Sequence, residues 1–485
     1  MKNISGSDPF PVNRHIMLFA PLIAVNMLLL FFVSPVGFYP DEAAHFAYAD
    51  FMAENGHAPR PDELVSPRDA MLSSLDLAWR GMHIEGDRGM GEDVIVTAAP
   101  KGVPREPRPG QYRQTAASYP TAYYRIGAFL MDLLAGRENI LVRFSVMRLY
   151  SLGLWCATMF IVWRIMAIVF ADSPILGILG FALAGFSPAF CAMGVSVNSD
   201  ILAALVMAAA VGRCLVLIRS ETWRTWNTLA AFSLCLAGIG VKQHLAALLA
   251  AFGAAFIIQQ KLHPDDRLPR AVRAVGAGIV ASAVLLAFMT MISIRFSGEQ
   301  SMESLLNTEG GAVSLIGYLA ENLYRFVLSP HIYQSAPDGV TESRMVFPVF
   351  SQFWTYFVPG INTRYIMTDW ANLFALKLFV WAGLAGFLVR IRKNDVSAEA
   401  GFLAAVAAGW FIFIVSTTWL FFDRQTHMQG RYFLYAAPAI MAMLAYGAGA
   451  LPDKASSAVA RGMTVFMVFF FEYELLRMFF MVYRR

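Results

Sequence analysis

Charge is what this chain has least of. Only 15% of its 485 residues are Asp, Glu, Lys or Arg, against about 25% in soluble domains, and the shortfall excludes an ordinary water-soluble globule. Cysteine is scarce too: Cys156, Cys191, Cys214 and Cys235 sit inside apolar runs, and no C-x-x-C spacing occurs. That placement speaks against a disulfide set or a cysteine metal site and for small core residues. A Walker loop, G-x-S-x-G, H-E-x-x-H and a dinucleotide fingerprint are all missing, so none of those chemistries competes. The formal net charge of +4 carries no sign of a nucleic-acid partner.

What fills the chain instead is apolar, with 57% hydrophobic and 14% aromatic residues. Long apolar runs separated by short polar punctuation approach the roughly 20 residues that a helix needs to cross the hydrocarbon core. We read an all-α, polytopic transmembrane protein, residues 1–485 forming a single membrane domain of about eleven spans. The first runs from about Ile16 to Val36. It follows Lys2 and Arg14, is too long for a signal peptide and has no A-x-A site after it, so it is expected to stay uncleaved with the N-terminus in the cytosol. The others are expected near 145–170, 174–195, 199–218, 226–241, 243–258, 271–294, 370–389, 401–422, 432–450 and 462–482.

Two polar segments interrupt this pattern, 37–142 and 295–369. In the first, EAAHFAYADFMAENG reads as a helix along the membrane surface, with Ala44, Tyr48 and Phe51 on one face and Gly56 as its stop. The stretch PKGVPREPRPGQYRQ reads as loop. YPTAYYRIGAFLMDLLAG, 119–136, is short and carries Arg125 and Asp132, so we read it as surface-lying or half-inserted. The loop charges then sort themselves. Arg219 and Arg224, then Lys261, Arg267, Arg270 and Arg273, then Arg390, Arg392 and Lys393, then Lys454 and Arg461 all fall on the cytosolic side. Arg484 and Arg485 fall outside and break the pattern.

This topology gathers the unusual polar residues on the outer face. Asp41 and Glu42 follow the first span, Asp200 opens a helix in VSVNSDILAAL, Lys242 and His244 mark the turn in GIGVKQHLAAL, and Arg431 lies in HMQGRYFLYAAP. The second outer segment adds the aromatics of FWTYFVPGINTRY. Ionisable residues at membrane depth are functional candidates by default, and these suit a charged lipid. Each also has a structural reading. The acids at 41, 42 and 200 suit helix N-termini, Lys242 could snorkel, and Arg431 and the aromatics could anchor at the interface. His45 and His244 could be packing residues.

The order of motifs carries a resemblance. It runs FYPDEAAHF after the first span, a long outer loop, YPTAYY followed by LVRFSVMRLYS, the N-S-D helix start, a lysine at an outer turn, and late QGRYFL with a proline beyond. This resembles the C-fold (GT-C) glycosyltransferases, which include protein O-mannosyltransferases and lipid A aminoarabinose transferases. It is most similar to a bacterial multi-span branch with P-D-E and Q-G-R-Y-F motifs. The resemblance implies transfer of a sugar, hexose or pentose, from a polyprenyl-phosphate donor to a glycan, lipid or protein acceptor. The reaction would invert the anomeric carbon at the outer face of the inner membrane.

On that reading Asp41 is the general base that takes the acceptor's hydroxyl proton. Glu42 orients the site or binds a divalent metal, a cofactor the sequence neither requires nor excludes. Asp200 neutralises Lys242, orients the acceptor or ligates that metal. Arg431 and Lys242 hold the lipid phosphate. His45, His244, Tyr123 and Tyr124 complete the substrate-binding set. A lipid-linked sugar flippase or secondary transporter would also be multi-span, but should show repeated halves with charges near the midplane, and no such repeat is visible. An O-antigen ligase or polymerase should show arginines in a late outer loop, where Arg325, Arg344 and Arg364 stand.

Overall fold

The structure is a computed structural model that describes residues 19–34, 39, 41–60, 119–135, 140–220, 225–262, 370–421 and 430–483, together with positions 317, 319, 320, 323, 324, 353 and 354. The protein is all-α and polytopic, and no strand occurs among the described residues. The expected span at 271–294, most of 295–369 and the loop PKGVPREPRPGQYRQ lie outside the described residues.

The chain opens with α1 (Phe19–Val33) and α2 (Glu42–Asn55). Helix α2 ends as its sequence suggests, at Gly56, whose φ of 75° puts it in the left-handed region and whose N–H bonds the Met52 carbonyl at 2.8 Å. Next comes α3 (Ala122–Leu134). Its 13 residues rise only about 20 Å, short of a roughly 30 Å hydrocarbon core. It buries Tyr123, Tyr124, Gly127, Ala128 and Met131 and turns Ile126, Phe129 and Leu133 outward. The 30-residue α4 (Ile140–Val169) follows. It starts earlier than expected and so takes Arg143 into the helix alongside Arg148.

The expected span at 174–195 is two helices, α5 (Pro174–Gly185) and α6 (Pro188–Val195), bent by 54°. Pro188 has no N–H to continue the hydrogen-bond ladder. The Cys191 thiol instead donates to the Gly185 carbonyl at 3.2 Å across the break. Helices α7 (Asp200–Arg219) and α8 (Thr225–Val241) come next, then a 3-10 turn at Gln243–Ala247 and α9 (Leu248–Leu262). Beyond the undescribed stretch lie α10 (Trp370–Arg392) and α11 (Ala398–Phe421), then a 3-10 segment at Gly430–Ala436, α12 (Ala437–Ala448) and α13 (Asp453–Tyr483).

Among the described residues, five helices are long and apolar enough to cross a membrane alone, or six with α5 and α6 as one bent span. Phe19–Val33, Trp226–Val241 and Tyr432–Ala448 are apolar but shorter. Cys191, Cys214 and Cys235 are buried as expected, whereas Cys156 is exposed.

Helix α7 is the hub, packing on α4, α8, α9 and the 430–436 segment. Helices α2 and α3 pack on each other and reach α4, while α10 lies along α12. The contact between α10 and α12 is made by glycine. A Cβ at Gly447 would collide with the Gly383 carbonyl oxygen and come within 3.0 Å of the Phe387 nitrogen, both backbone atoms. Small residues let helices approach this closely where lipid tails offer no hydrophobic drive to associate.

Candidate active site

Asp41 sits just before α2 with φ 60° and ψ 5°, in the left-handed region. A non-glycine residue there is strained by on the order of 1 kcal/mol, although Asp tolerates it better than most. Its side chain is exposed and makes no capping hydrogen bond to the helix it precedes. The helix-cap reading of Asp41 therefore has no geometric support.

Glu42 is the reverse, wholly buried. Arg148 grips it with a two-pronged fork, Nε to Oε1 at 2.8 Å and Nη2 to Oε2 at 2.9 Å. The Val197 N–H also donates to Oε1 at 3.0 Å, and the Tyr39 N–H approaches Oε2 at 3.5 Å. The remaining arm of Arg148, Nη1, donates to the Ser34 carbonyl at 2.6 Å, and its guanidinium lies 4.9 Å from the Phe144 ring centre. Charged, bidentate bonds of this kind are the strong ones. Tyr39, with its hydroxyl 2.7 Å from the Ser34 hydroxyl, is held by burial well above the usual phenol pKa and stays neutral.

The second cluster forms where α7, α8, α3 and the 430–436 segment meet. Asp200 is the first residue of α7 and is buried, and Asn198 Oδ1 takes its N–H at 2.9 Å. One carboxylate oxygen of Asp200 accepts from the Lys242 ammonium and from the Tyr435 hydroxyl, the latter at 2.5 Å. Lys242, in extended backbone where α8 stops, lies 5.4 Å from the Tyr119 ring centre and 5.2 Å from that of Tyr435. It is buried against these partners rather than snorkelling away from them.

His45 joins the two clusters. Its Nδ1 lies 2.6 Å from the Tyr124 hydroxyl, and its ring stacks on Tyr119 at 5.4 Å and on Tyr124 at 5.9 Å. Tyr124 also bonds Ser199 and stacks on Tyr48 at 3.9 Å, while burial holds its phenol well above the usual value, so it serves as a neutral donor. Tyr123 faces the other way, to the Ser151 hydroxyl at 2.7 Å and the Asn198 backbone. It props the link before Asp200.

Of the residues named from the sequence, His45, Tyr124, Asp200 and Lys242 thus share one cluster, tied to Glu42 through the Val197 link and to Asp41 through the His45 N–H on its carbonyl. His244, two residues beyond Lys242, lies within electrostatic reach of Lys242 and Asp200, with its ring edge-on to Phe413 of α11 at 6.5 Å. Arg431 belongs to the 430–436 segment, but its side chain lies outside the described residues. Among the described residues no three His, Cys, Asp or Glu side chains converge as a metal site. Sequence reasoning missed Arg148, Tyr119 and Tyr435. Arg148 had a signal, since a charge within an apolar helix calls for a partner. The tyrosines lay within the quoted stretches YPTAYY and HMQGRYFLYAAP, but aromatics are common at span ends and nothing marked these two among their neighbours.

No protein-family model matches the chain, and no curated protein matches it. Solved structures similar to it include ArnT from Cupriavidus metallidurans bound to undecaprenyl phosphate, at 13% identity and a TM-score of 0.45, over 93% of this chain and 63% of that one. The same protein in its apo state gives 11% identity, a TM-score of 0.43, and 90% and 61% coverage. The apo oligosaccharyltransferase of Archaeoglobus fulgidus gives 13% identity, a TM-score of 0.49, and 96% and 56% coverage. The chain spans less than two thirds of the length of either protein.

Proposed function

We propose that the chain is a GT-C glycosyltransferase of the inner membrane. It moves a hexosyl or pentosyl group from a polyprenyl-phosphate donor to a glycan, lipid or protein acceptor on the extracytoplasmic side, with inversion. The reading rests on the motif order and on one observation: an exposed, left-handed Asp41 starts the helix whose His45 stacks on Tyr119, the ring that faces Lys242 in the buried cluster with Asp200 and Tyr435. Asp41 accepts the acceptor hydroxyl's proton as that oxygen forms the new bond to the anomeric carbon. The bond from that carbon to the phosphate oxygen breaks on the opposite face, and the electron pair leaves with the lipid phosphate. The N–H groups of Lys242 not directed at Asp200, together with Arg431, stabilise that charge. Glu42, with both oxygens already engaged, suits orientation better than metal binding.

The test is sugar transfer in sealed membrane vesicles supplied with a polyprenyl-phosphate sugar. Asp41→Asn should slow transfer by about 10²–10⁴-fold, the usual worth of a general base, without changing thermal stability. Undiminished transfer removes Asp41 from the chemistry. Movement of lipid-linked sugar across the vesicles without a new glycosidic bond would replace the transferase reading with a flippase.

A further inference from the structure

We propose that Arg148, reaching out of span α4, is a positioning residue of this site, and that its fork on Glu42 fixes the base Asp41 relative to the Asp200–Lys242 pair. The role of Asp41 in this statement rests on the transferase reading above. Two segments far apart in sequence from Glu42 meet on its carboxylate. Arg148 brings α4, 106 residues on, and through the Ser34 carbonyl it adds the end of α1. Val197 brings the α6–α7 link, 155 residues on, and the next residues of that link are Asn198, Ser199 and Asp200.

Asp41 lies between two anchored neighbours. Tyr39 is tied to Ser34 by its hydroxyl, and Glu42 is tied to Arg148. The left-handed backbone of Asp41 is not held by its own side chain capping the helix. Strain of that kind persists where the surroundings over-determine the backbone, and here Tyr39, Glu42 and Arg148 supply the surroundings. With the fork in place the carboxylate at 41 and the link at 197–200 move as one body. Without it the coupling between residue 41 and the 197–200 link through Glu42 is lost.

Truncating Arg148 to alanine would leave a buried carboxylate without its cation and threaten folding, so the test uses two milder changes in full-length protein reconstituted in nanodiscs. Arg148→Lys keeps the charge and loses the fork. Glu42→Gln combined with Arg148→Met removes the pair as neutral residues of similar size, which buried pairs often tolerate. In the double variant the turnover number for sugar transfer should fall about 100-fold, the scale of a 1 Å misplacement. The KM for the polyprenyl-phosphate sugar should stay within about threefold, because the donor cluster is untouched. Arg148→Lys should lie between the parent and the double variant.

A nitroxide on Asp41→Cys gives a readout independent of turnover. Its spectrum should be immobilised in the parent background and loosen in both variants. A parental turnover number in Arg148→Lys together with the double variant overturns the proposal, as does an unchanged nitroxide spectrum. So does a rise in KM that matches the loss in turnover. If the parent itself forms no glycosidic bond, the transferase reading fails, and the nitroxide spectra alone decide whether the fork holds residue 41.

Discussion

Helices in this protein are joined in two contrasting ways. Around Glu42 they are joined by charge: a buried guanidinium and carboxylate bind α4, the start of α2, the end of α1 and the α6–α7 link. Along α10 and α12 they are joined by bare backbone, with Gly383, Gly386 and Gly447 allowing near contact. Charge pairing is directional. It specifies where one atom lies relative to another, and it costs desolvation that only good geometry offsets. Glycine packing specifies distance and leaves the chemistry blank. The candidate site lies in the first region and the scaffold contact in the second, which separates what must be accurate from what must only be tight.

Mutations can test that separation in order of expected effect. Arg148→Ala leaves Glu42 buried without its guanidinium and should cost about 3–5 kcal/mol, read as a large fall in thermal stability in detergent. Gly447→Ala drives a methyl group into backbone that cannot yield, and should cost about 1–3 kcal/mol by the same assay, with no change in donor KM. Equal damage to KM from the glycine change would erase the distinction between the regions. Tyr124→Phe deletes the hydroxyl bonded to His45 and should cost about 1 kcal/mol, while slowing sugar transfer. Arg219→Ala breaks a partly exposed pair with Glu399, 2.7 Å apart, and should change stability by less than about 1 kcal/mol.

Much of the helical course was legible because apolar run length is a direct physical requirement of the bilayer. Helix α2 and its stop at Gly56 were legible because glycine is the residue that takes a left-handed cap without penalty. The break inside 174–195 was not foreseen, although Ser187–Pro188 announces it, because hydropathy averages over a bend. The start of α4 was set too late because Arg143 reads as a boundary by composition. It is instead buried, with Nε 2.5 Å from Asp50 of α2. On the site side, the pairing of Asp200 with Lys242 was among the alternatives the motifs left open, and the structure forms it. Tyr119 and Tyr435 owe their place to tertiary packing alone. Both lie in stretches the sequence had singled out, YPTAYY and HMQGRYFLYAAP, but nothing there says which tyrosine would face Lys242.

The Glu42 carboxylate also sets a timetable for the making of the protein. At a synthesis rate of roughly 5–20 residues per second, the 155 residues separating Glu42 from Val197 take on the order of 10–30 s to appear. Arg148 emerges sooner, since 106 residues separate it from Glu42. The nascent chain therefore carries Asp41 and Glu42 long before it carries the partners that fix the Glu42 carboxylate. A ribosome stalled before Val197 would display Asp41 and Glu42 without the link that closes over them, so completion of the candidate site is a late event in a chain whose first acids are made early.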